Sequence, residues 1–168
     1  AENIAYQFRN GSLTYVHVPK TEEEEVRALI RCRRALKETS KRVKLQIYAL
    51  LKVQGFKVPG KLGSVKCDAW LQELSLSPLM DQILIEYRTL LEYLNTRIAE
   101  MDREIERISE TKPYAEQVKR LKVLRGMGVL SSMILITEII DFKRFPNPKS
   151  LMGFLGLTPS EYSSSGIQ

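Results

Sequence analysis

The chain has 168 residues, of which 43% are hydrophobic and 27% are charged, with a formal net charge of +6 at pH 7. This apolar content excludes a wholly disordered chain, and no apolar run is long enough to span a bilayer. The length suits one compact domain, or a long helical module with a small domain attached.

The two cysteines, Cys32 and Cys67, form neither a CxxC metal-binding pair nor a disulfide framework. No signal peptide is visible at the start of the chain. We therefore expect reduced thiols and a cytoplasmic protein without membrane segments.

Positive charge is concentrated in residues 26–54, where nine cations accompany one acid, Glu38. The cations are Arg27, Arg31, Arg33, Arg34, Lys37, Lys41, Arg42, Lys44 and Lys52. Residues 78–111 reverse this balance, with eight acids against four arginines, and the residues from 112 onward hold eight cations against four acids.

Such a field attracts polyanions, because phosphate contacts need little more than positive charge. Arg33, Arg34, Lys41 and Arg42 are therefore candidate nucleic-acid-binding residues. The alternative is an ordinary solvated helix face.

Both charged segments have the apolar spacing of long helices. Thr21 and, three residues later, Glu24 predict a capping box and a helix that starts near Glu22. Apolar residues then recur in heptads, which Arg33 and Ser40 interrupt. The second segment has an unbroken heptad pattern of Leu84, Tyr87, Leu91, Leu94, Ile98, Met101, Ile105 and Ile108. Each of these apolar stripes needs a partner helix.

Glycine and proline break the helical pattern at residues 55–63, and residues 69–76 are compatible with a short helix around Trp70. We predict a mainly α-helical protein in which residues 21–111 form a long antiparallel hairpin, or coiled coil, with a connector at 55–77. The basic arm would lie against the acidic arm, burying both stripes and offsetting the charge. Pairing between two chains is the open alternative.

The N-terminal segment alternates like a β-strand over residues 13–18, after an Asn-Gly turn and before Pro19. One strand cannot form a sheet, so we expect residues 1–20 to be the remnant of a larger N-terminal domain. His17 is the single histidine and has no neighbouring cysteine, so metal ligation is not predicted there.

A helix, a glycine turn and a second helix are predicted after residue 112. The first helix is indicated by Val118, Leu121, Val123 and Leu124 and is expected to reach Arg125. Gly126 and Gly128 then precede an apolar helix over residues 129–140. This is the pattern of the helix-hairpin-helix DNA-binding element, in which glycines admit a phosphate to free N–H groups at a helix start.

Lys122, Arg125, Gly126 and Gly128 are therefore candidate nucleic-acid-binding residues, supported by the nearby Lys119 and Arg120. The alternative is an ordinary helix junction with a glycine cap.

Glu138 and Asp141 lie three residues apart on one helix face. Two acids without a third ligand make a poor magnesium site, so we expect both to be solvent-exposed at a helix end, and we predict no metal site in this chain. Residues 149–155 indicate a short helix that ends at Gly156.

Several of these segments together resemble a known family. The matching strings are Leu124-x-Gly-x-Gly, the stretch from Glu138 to Pro146, and the stretch from Leu151 through Pro159-Ser160-Glu161-Tyr162-Ser163-Ser164. They resemble the C-terminal transposase domain of the DEDD-type bacterial insertion-sequence transposases, the family numbered one hundred and ten. Leu13 to Pro19 and the long helices resemble that family's link between domains.

The resemblance implies DNA transposition of a mobile insertion sequence, directed by a guide RNA. The family pairs an RNase-H-like domain, whose four acids bind Mg²⁺, with a C-terminal domain that supplies a serine nucleophile. Residues 1–20 would then be a remnant of the first domain, and residues 112–168 the N-terminal part of the second. We expect DNA, guide RNA and Mg²⁺ as partners of the complete bacterial protein, and a homo-oligomer formed through the helical arms.

The family's nucleophile falls on Ser164 when residues are counted from Pro159 without a gap. An extra serine, where the family more often has glycine, keeps Ser163 and Ser165 as alternatives. A serine hydroxyl needs activation, and the family's acids would lie outside this chain, so we expect the chain alone not to cut or join DNA. Without the resemblance, a serine-rich end is interpreted as a flexible tail.

Two functions are therefore compatible with the sequence. The first is that of a transposase or DNA-recombinase fragment, and the second is a non-enzymatic coiled-coil dimerisation and nucleic-acid-binding module. Both predict polyanion binding, but only the first predicts chemistry in the parent protein.

Overall fold

The computed structural model describes residues 2–12 and 18–157, and these residues are mainly α-helical, as predicted. The helices are α1 (Glu2–Arg9), α2 (Thr21–Val53), α3 (Val65–Gln72), α4 (Pro78–Ser109), α5 (Tyr114–Leu121), α6 (Val129–Ile139) and α7 (Pro148–Phe154), with a 3-10 turn at Phe142–Arg144. The described part of the chain contains no strand, and all of the predicted strand except Val18 lies outside it. Helix α1 was not predicted.

The chain divides into two compact units, one formed by Lys20–Glu138 and the other by the segments before and after it. None of the described helices is both long enough and apolar enough to cross a membrane.

Helix α2 begins at Thr21, but its cap differs from the predicted one. Lys20 is the N-cap residue, and its backbone N–H donates to the Glu23 carboxylate at 2.9 Å. The predicted capping box from Thr21 to Glu24 is wrong by one residue. The run of four glutamates offers a carboxylate at each successive position, so sequence spacing did not distinguish the register of the cap.

Helices α2 and α4 pack against each other along their apolar stripes and run antiparallel. One core lies toward the end of α2, where Val43, Ile47 and Leu51 pack with residues of α3 and α4. A second core surrounds Ile30 of α2 and Ile105 of α4 and includes residues of α5 and α6. Both heptad patterns therefore mark buried helix faces.

The two polar interruptions of the α2 heptads pair with polar residues of α4. Arg33 donates to both carboxylate oxygens of Asp102, at 2.8 and 3.2 Å. The Ser40 hydroxyl donates to the Asn95 side-chain oxygen at 3.3 Å. Arg33 and Ser40 are one heptad apart, as are their partners on α4, so both pairs belong to the same helix register.

The charge of the two long helices is paired less extensively than predicted. Arg33 and Asp102 form an ion pair between α2 and α4, whereas Glu100 and Glu104 pair with Arg97 and Arg107 one turn away on α4 itself. Among the described residues, no other ion pair joins these two helices. The acidic helix thus lies against the basic one, but direct ion pairing between them is limited to Arg33 and Asp102 among the described residues.

The connector and the short helices begin and end at positions other than those expected. Helix α3 starts at Val65, four residues before the predicted start, because the Ser64 hydroxyl accepts a hydrogen bond from the Cys67 N–H. Helix α5 ends at Leu121 and not at Arg125. Val123 and Leu124, interpreted from the sequence as part of its apolar stripe, are 83% and 58% exposed.

Glu138, near the end of α6, is held by two arginines of α2. Arg31 donates to both of its carboxylate oxygens at 2.9 Å, and Arg27 donates to one of them at 3.3 Å. The hydrogen bond from Arg31 lowers the pKa of Glu138 below its ordinary value of 4.5, and the positive charges of Arg31 and Arg27 act in the same direction, against partial burial. We call these three residues the α6 clamp.

Glu138→Gln is expected to lower the free energy of unfolding at neutral pH by about 1 kcal/mol. The substitution removes the negative charge from the hydrogen bonds to Arg27 and Arg31, and the partial exposure of the site limits the size of the effect. A lowered pKa in the folded state means that this stabilisation is complete above the unfolded pKa and is lost as pH falls toward the folded value. Denaturant titrations should therefore show the difference between wild type and variant shrinking as pH falls below about 4.5.

Glu100→Gln is the matched control for this measurement, because Glu100 pairs with Arg97 one turn away on an exposed surface. Its removal should change stability by less than about 0.5 kcal/mol. A difference for Glu138→Gln that stayed constant through the acid range would contradict the α6 clamp.

Candidate nucleic-acid interface

Three of the four predicted cations of α2 lie on one exposed surface. Arg34, Lys41 and Arg42 are exposed, and none of them belongs to the core between α2 and α4. Arg34 and Lys41 are seven residues apart, which places them on the same side of the helix. None of the three forms an ion pair with a residue that the structure describes. We call these three residues the outer face of α2.

Arg33, the fourth predicted cation, is placed differently. Its side chain is 17% exposed and is engaged by Asp102 through two hydrogen bonds. Contact between Arg33 and a nucleic acid would require this pair to break. The structure thus separates two neighbouring arginines that the sequence grouped together.

The glycine turn between α5 and α6 has the geometry that close backbone approach requires. Gly126 has φ of +88°, a conformation that side-chain-bearing residues rarely adopt. Gly128 is exposed, and a Cβ atom built there would have no neighbour within 4 Å. Open space therefore lies in front of the backbone at this position.

The start of α6 offers unpaired N–H groups at the glycine turn. The Ser132 N–H donates to the Gly128 carbonyl at 3.0 Å, as the first α-helical hydrogen bond of this helix. The N–H groups of Val129, Leu130 and Ser131, in the first turn of α6, precede this bond and have no intrahelical carbonyl, and the helix dipole places partial positive charge there.

Four cations surround the glycine turn and are all exposed: Lys119, Arg120, Lys122 and Arg125. Two of them, Lys119 and Lys122, also line a shallow groove of about 410 Å³ together with Glu106 and Glu110 of α4. Those acids reduce the local positive potential on this side of the turn. Arg120 and Arg125 do not line the groove.

Glu138 and Asp141 do not form a metal site. Glu138 is held in the α6 clamp, so the expectation of simple solvent exposure is wrong for it. Asp141 is exposed and caps the 3-10 turn by accepting a hydrogen bond from the Lys143 N–H at 2.9 Å. Within residues 2–12 and 18–157, no group of three or more His, Cys, Asp or Glu could hold a metal ion.

The α6 clamp was missed by sequence reasoning. Arg27 and Arg31 are four residues apart on one helix face, but their partner lies more than a hundred residues further along the chain. The only local signal was an acid at the end of an otherwise apolar helix. The candidate nucleophile Ser164 and its alternatives Ser163 and Ser165 lie outside the described residues.

Comparisons with known proteins match the chain to transposases. Residues 118–168 match the family model described as "Transposase IS116/IS110/IS902 family". A Sinorhizobium fredii protein named as a transposase is 33% identical over 168 residues, which cover 98% of this chain and 39% of that protein.

Two further relatives are transposases of named insertion sequences. The transposase for IS1533 of Leptospira borgpetersenii is 27% identical over 81% of this chain and 40% of its own length. The transposase for IS1328 of Yersinia enterocolitica is 27% identical over 99% of this chain and 49% of its own length. No solved structure matches the chain.

The chain thus spans half or less of the length of these curated relatives. The match to the family model begins within α5 and includes the glycine turn and α6. Residues 118–168 are thus similar to the IS116/IS110/IS902 transposase family, and the chain as a whole is similar to part of several insertion-sequence transposases.

Proposed function

We propose that this chain is part of an insertion-sequence transposase and contacts nucleic acid through the glycine turn and the outer face of α2. The observation that carries this proposal is the geometry of the glycine turn. Gly126 adopts a left-handed conformation, Gly128 leaves open space, and exposed cations flank both. This turn lies inside the segment that matches the transposase family model.

A phosphate at this turn would meet complementary groups. The N–H groups at the start of α6 act as hydrogen-bond donors, and the helix dipole favours an anion. Arg125 and Lys122 add positive charge beside them. We propose that α5, the glycine turn and α6 together form a helix-hairpin-helix DNA-binding element.

The outer face of α2 would contribute contacts that do not depend on base sequence. Its three cations are exposed and unpaired among the described residues, so binding a phosphate does not require breaking an existing ion pair. Each cation that neutralises a phosphate releases counterions, which makes the affinity depend on salt concentration. DNA is the proposed ligand, with a guide RNA as a second one.

A homo-oligomer through the helical arms is also part of the proposal. A groove lined by Leu50, Val53, Met80, Ile83 and Tyr87 lies between α2 and α4. Val53 is 81% exposed, and the neighbouring Leu79 of α4 is 64% exposed. An apolar surface of this kind is typical of contacts between helices of two protein chains.

The proposed chemistry is attack of the Ser164 hydroxyl oxygen on the phosphorus of a DNA phosphodiester, with Ser163 and Ser165 as alternatives. A phosphoserine bond forms, one P–O bond to a deoxyribose oxygen breaks, and that oxygen leaves as an alcohol after taking up a proton to balance the one that the serine loses. A serine hydroxyl is a weak nucleophile until a base or a metal activates it. The described residues do not fit a magnesium ion, since they contain no cluster of three or more candidate ligands. Mg²⁺ and its acids would therefore have to be supplied by the rest of the protein, and this chain alone is not expected to cut or join DNA.

A non-enzymatic dimerisation and nucleic-acid-binding module is the second candidate function. It requires only the glycine turn, the outer face of α2 and the apolar groove, all of which lie among the described residues. An acidic cluster in the adjoining coding sequence would support the transposase, and its absence would favour the module. The bacterial cytoplasm is the expected location for either function.

Reversing the charge of the outer face of α2, with Arg34, Lys41 and Arg42 all changed to Glu, is expected to weaken binding to a short DNA duplex. The slope of log K against log salt should also flatten by up to about 0.9 for each phosphate that is no longer neutralised. Fluorescence anisotropy over a series of salt concentrations would measure both quantities.

The matched control changes Lys57, Lys61 and Lys66 to Glu, which alters the net charge by the same amount on exposed residues of the connector and α3. Equal reductions of affinity in the two variants would show that total charge, and not the outer face of α2, determines binding.

Replacing Ser164 with Ala in a complete relative that carries this chain's segment is expected to abolish recombination. Ser163→Ala and Ser165→Ala should retain activity and serve as controls for folding and expression. Recombination at the parental rate by Ser164→Ala would reject Ser164, and parental rates in all three variants would reject the serine mechanism.

A further inference from the structure

One arginine near the C-terminal end of the described chain contacts two aromatic rings. The guanidinium carbon of Arg144 lies 4.8 Å from the centroid of the Phe145 ring and 4.6 Å from that of the Phe154 ring. The two ring centroids are 5.3 Å apart. Arg144 is therefore positioned by cation–π contacts with two side chains.

The hydrogen-bonding capacity of Arg144 is unused. Its Nε atom is buried and has no hydrogen-bond partner. No described residue forms an ion pair with its guanidinium. The terminal nitrogens also have no hydrogen-bond partner among the described residues, and they are not buried as Nε is. The terminal N–H groups, and not Nε, are therefore the donors that a ligand could meet.

The backbone around Arg144 is fixed on both sides. Asp141 caps the 3-10 turn before it, accepting from the Lys143 N–H at 2.9 Å. Asn147 caps α7 after it, accepting from the Ser150 N–H at 2.9 Å. The rings and the caps already order Arg144 in the folded protein. Ligand binding therefore loses little further conformational entropy at this side chain.

The charge of this segment favours an anionic ligand. Residues 139–157 contain three cations, Lys143, Arg144 and Lys149, and a single acid, Asp141. The carboxylate of that acid is engaged by the backbone of the 3-10 turn. The same segment lies within residues 118–168, which match the transposase family model.

We propose that Arg144 is a pre-positioned contact for a phosphodiester of a nucleic-acid backbone, held in place by Phe145 and Phe154. The inference rests on the proposed function and adds a binding residue to it. Arg144 donates to phosphate oxygens through its terminal N–H groups, while the rings fix its orientation. DNA and RNA share this chemistry.

The alternative role for Arg144 is purely structural, as a link between the 3-10 turn and α7. Under that role, replacing Arg144 would lower thermal stability without changing the salt dependence of binding. The two roles are therefore separated by a binding measurement.

The test measures binding of the full chain to a short DNA duplex and to a single-stranded RNA of the same sequence at several salt concentrations. Arg144→Gln should weaken binding about tenfold and flatten the salt slope by the amount that about one neutralised phosphate contributes. Arg144→Lys should keep the slope but bind more weakly than wild type, because lysine retains the charge but not the planar set of N–H donors. Lys66→Gln, an exposed cation of α3, should change neither quantity.

Weaker binding to DNA alone assigns the contact to DNA, weaker binding to RNA alone assigns it to RNA, and weaker binding to both assigns it to the shared backbone. Unchanged affinity and slope for Arg144→Gln on both probes would overturn the inference. If that variant does not fold, Phe154→Leu removes one ring and keeps the charge. Lower affinity at an unchanged slope then supports the inference, and unchanged affinity overturns it.

The outer-face variant of α2 distinguishes this inference from the proposed function. Loss of binding in that variant, with Arg144→Gln unaffected, overturns only the role of Arg144. Loss of binding in Arg144→Gln, with the outer-face variant unaffected, overturns only the role of the outer face. A wild-type chain that binds neither probe would overturn both.

Discussion

The bidentate pair between Arg33 and Asp102 constrains how α2 lies against α4. Apolar heptads alone permit two helices to slip by seven residues, because the pattern repeats at that interval. Such a slip would separate Arg33 from Asp102 and Ser40 from Asn95, leaving polar groups in an apolar seam without their partners. Because α5 and α6 pack around Ile30 and Ile105, this register also sets the position of the glycine turn relative to α2.

The cations of α2 serve three physical roles, although the sequence presents them as one basic segment. Arg33 stabilises the helix register through Asp102, and Arg27 and Arg31 hold Glu138 at the end of α6. Arg34, Lys41 and Arg42 form the outer face, which is exposed and without ion pairs among the described residues. The net charge of the segment thus overstates the charge that a nucleic acid could meet, and the position of each cation on the helix determines its role.

The helices were largely predictable because apolar periodicity is a local property. The α4 heptads identified its buried face, and the interruptions at Arg33 and Ser40 were visible without indicating their partners. The end of α5 was not predictable from apolar residues, since Val123 and Leu124 are exposed in the turn that follows. The α6 clamp depends on tertiary packing between distant segments, and the proposed nucleophile lies outside the described residues.

Comparing Arg33→Gln with Arg34→Gln in denaturant unfolding tests the division of α2 into a structural and an exposed face most directly. The two residues are adjacent and chemically identical, so only their surroundings differ. Arg33→Gln should lower the free energy of unfolding by about 1 kcal/mol or somewhat more, because two charge-assisted hydrogen bonds to a partly exposed carboxylate are lost. Arg34→Gln should stay within about 0.5 kcal/mol of wild type. Equal destabilisation by the two substitutions would contradict this division.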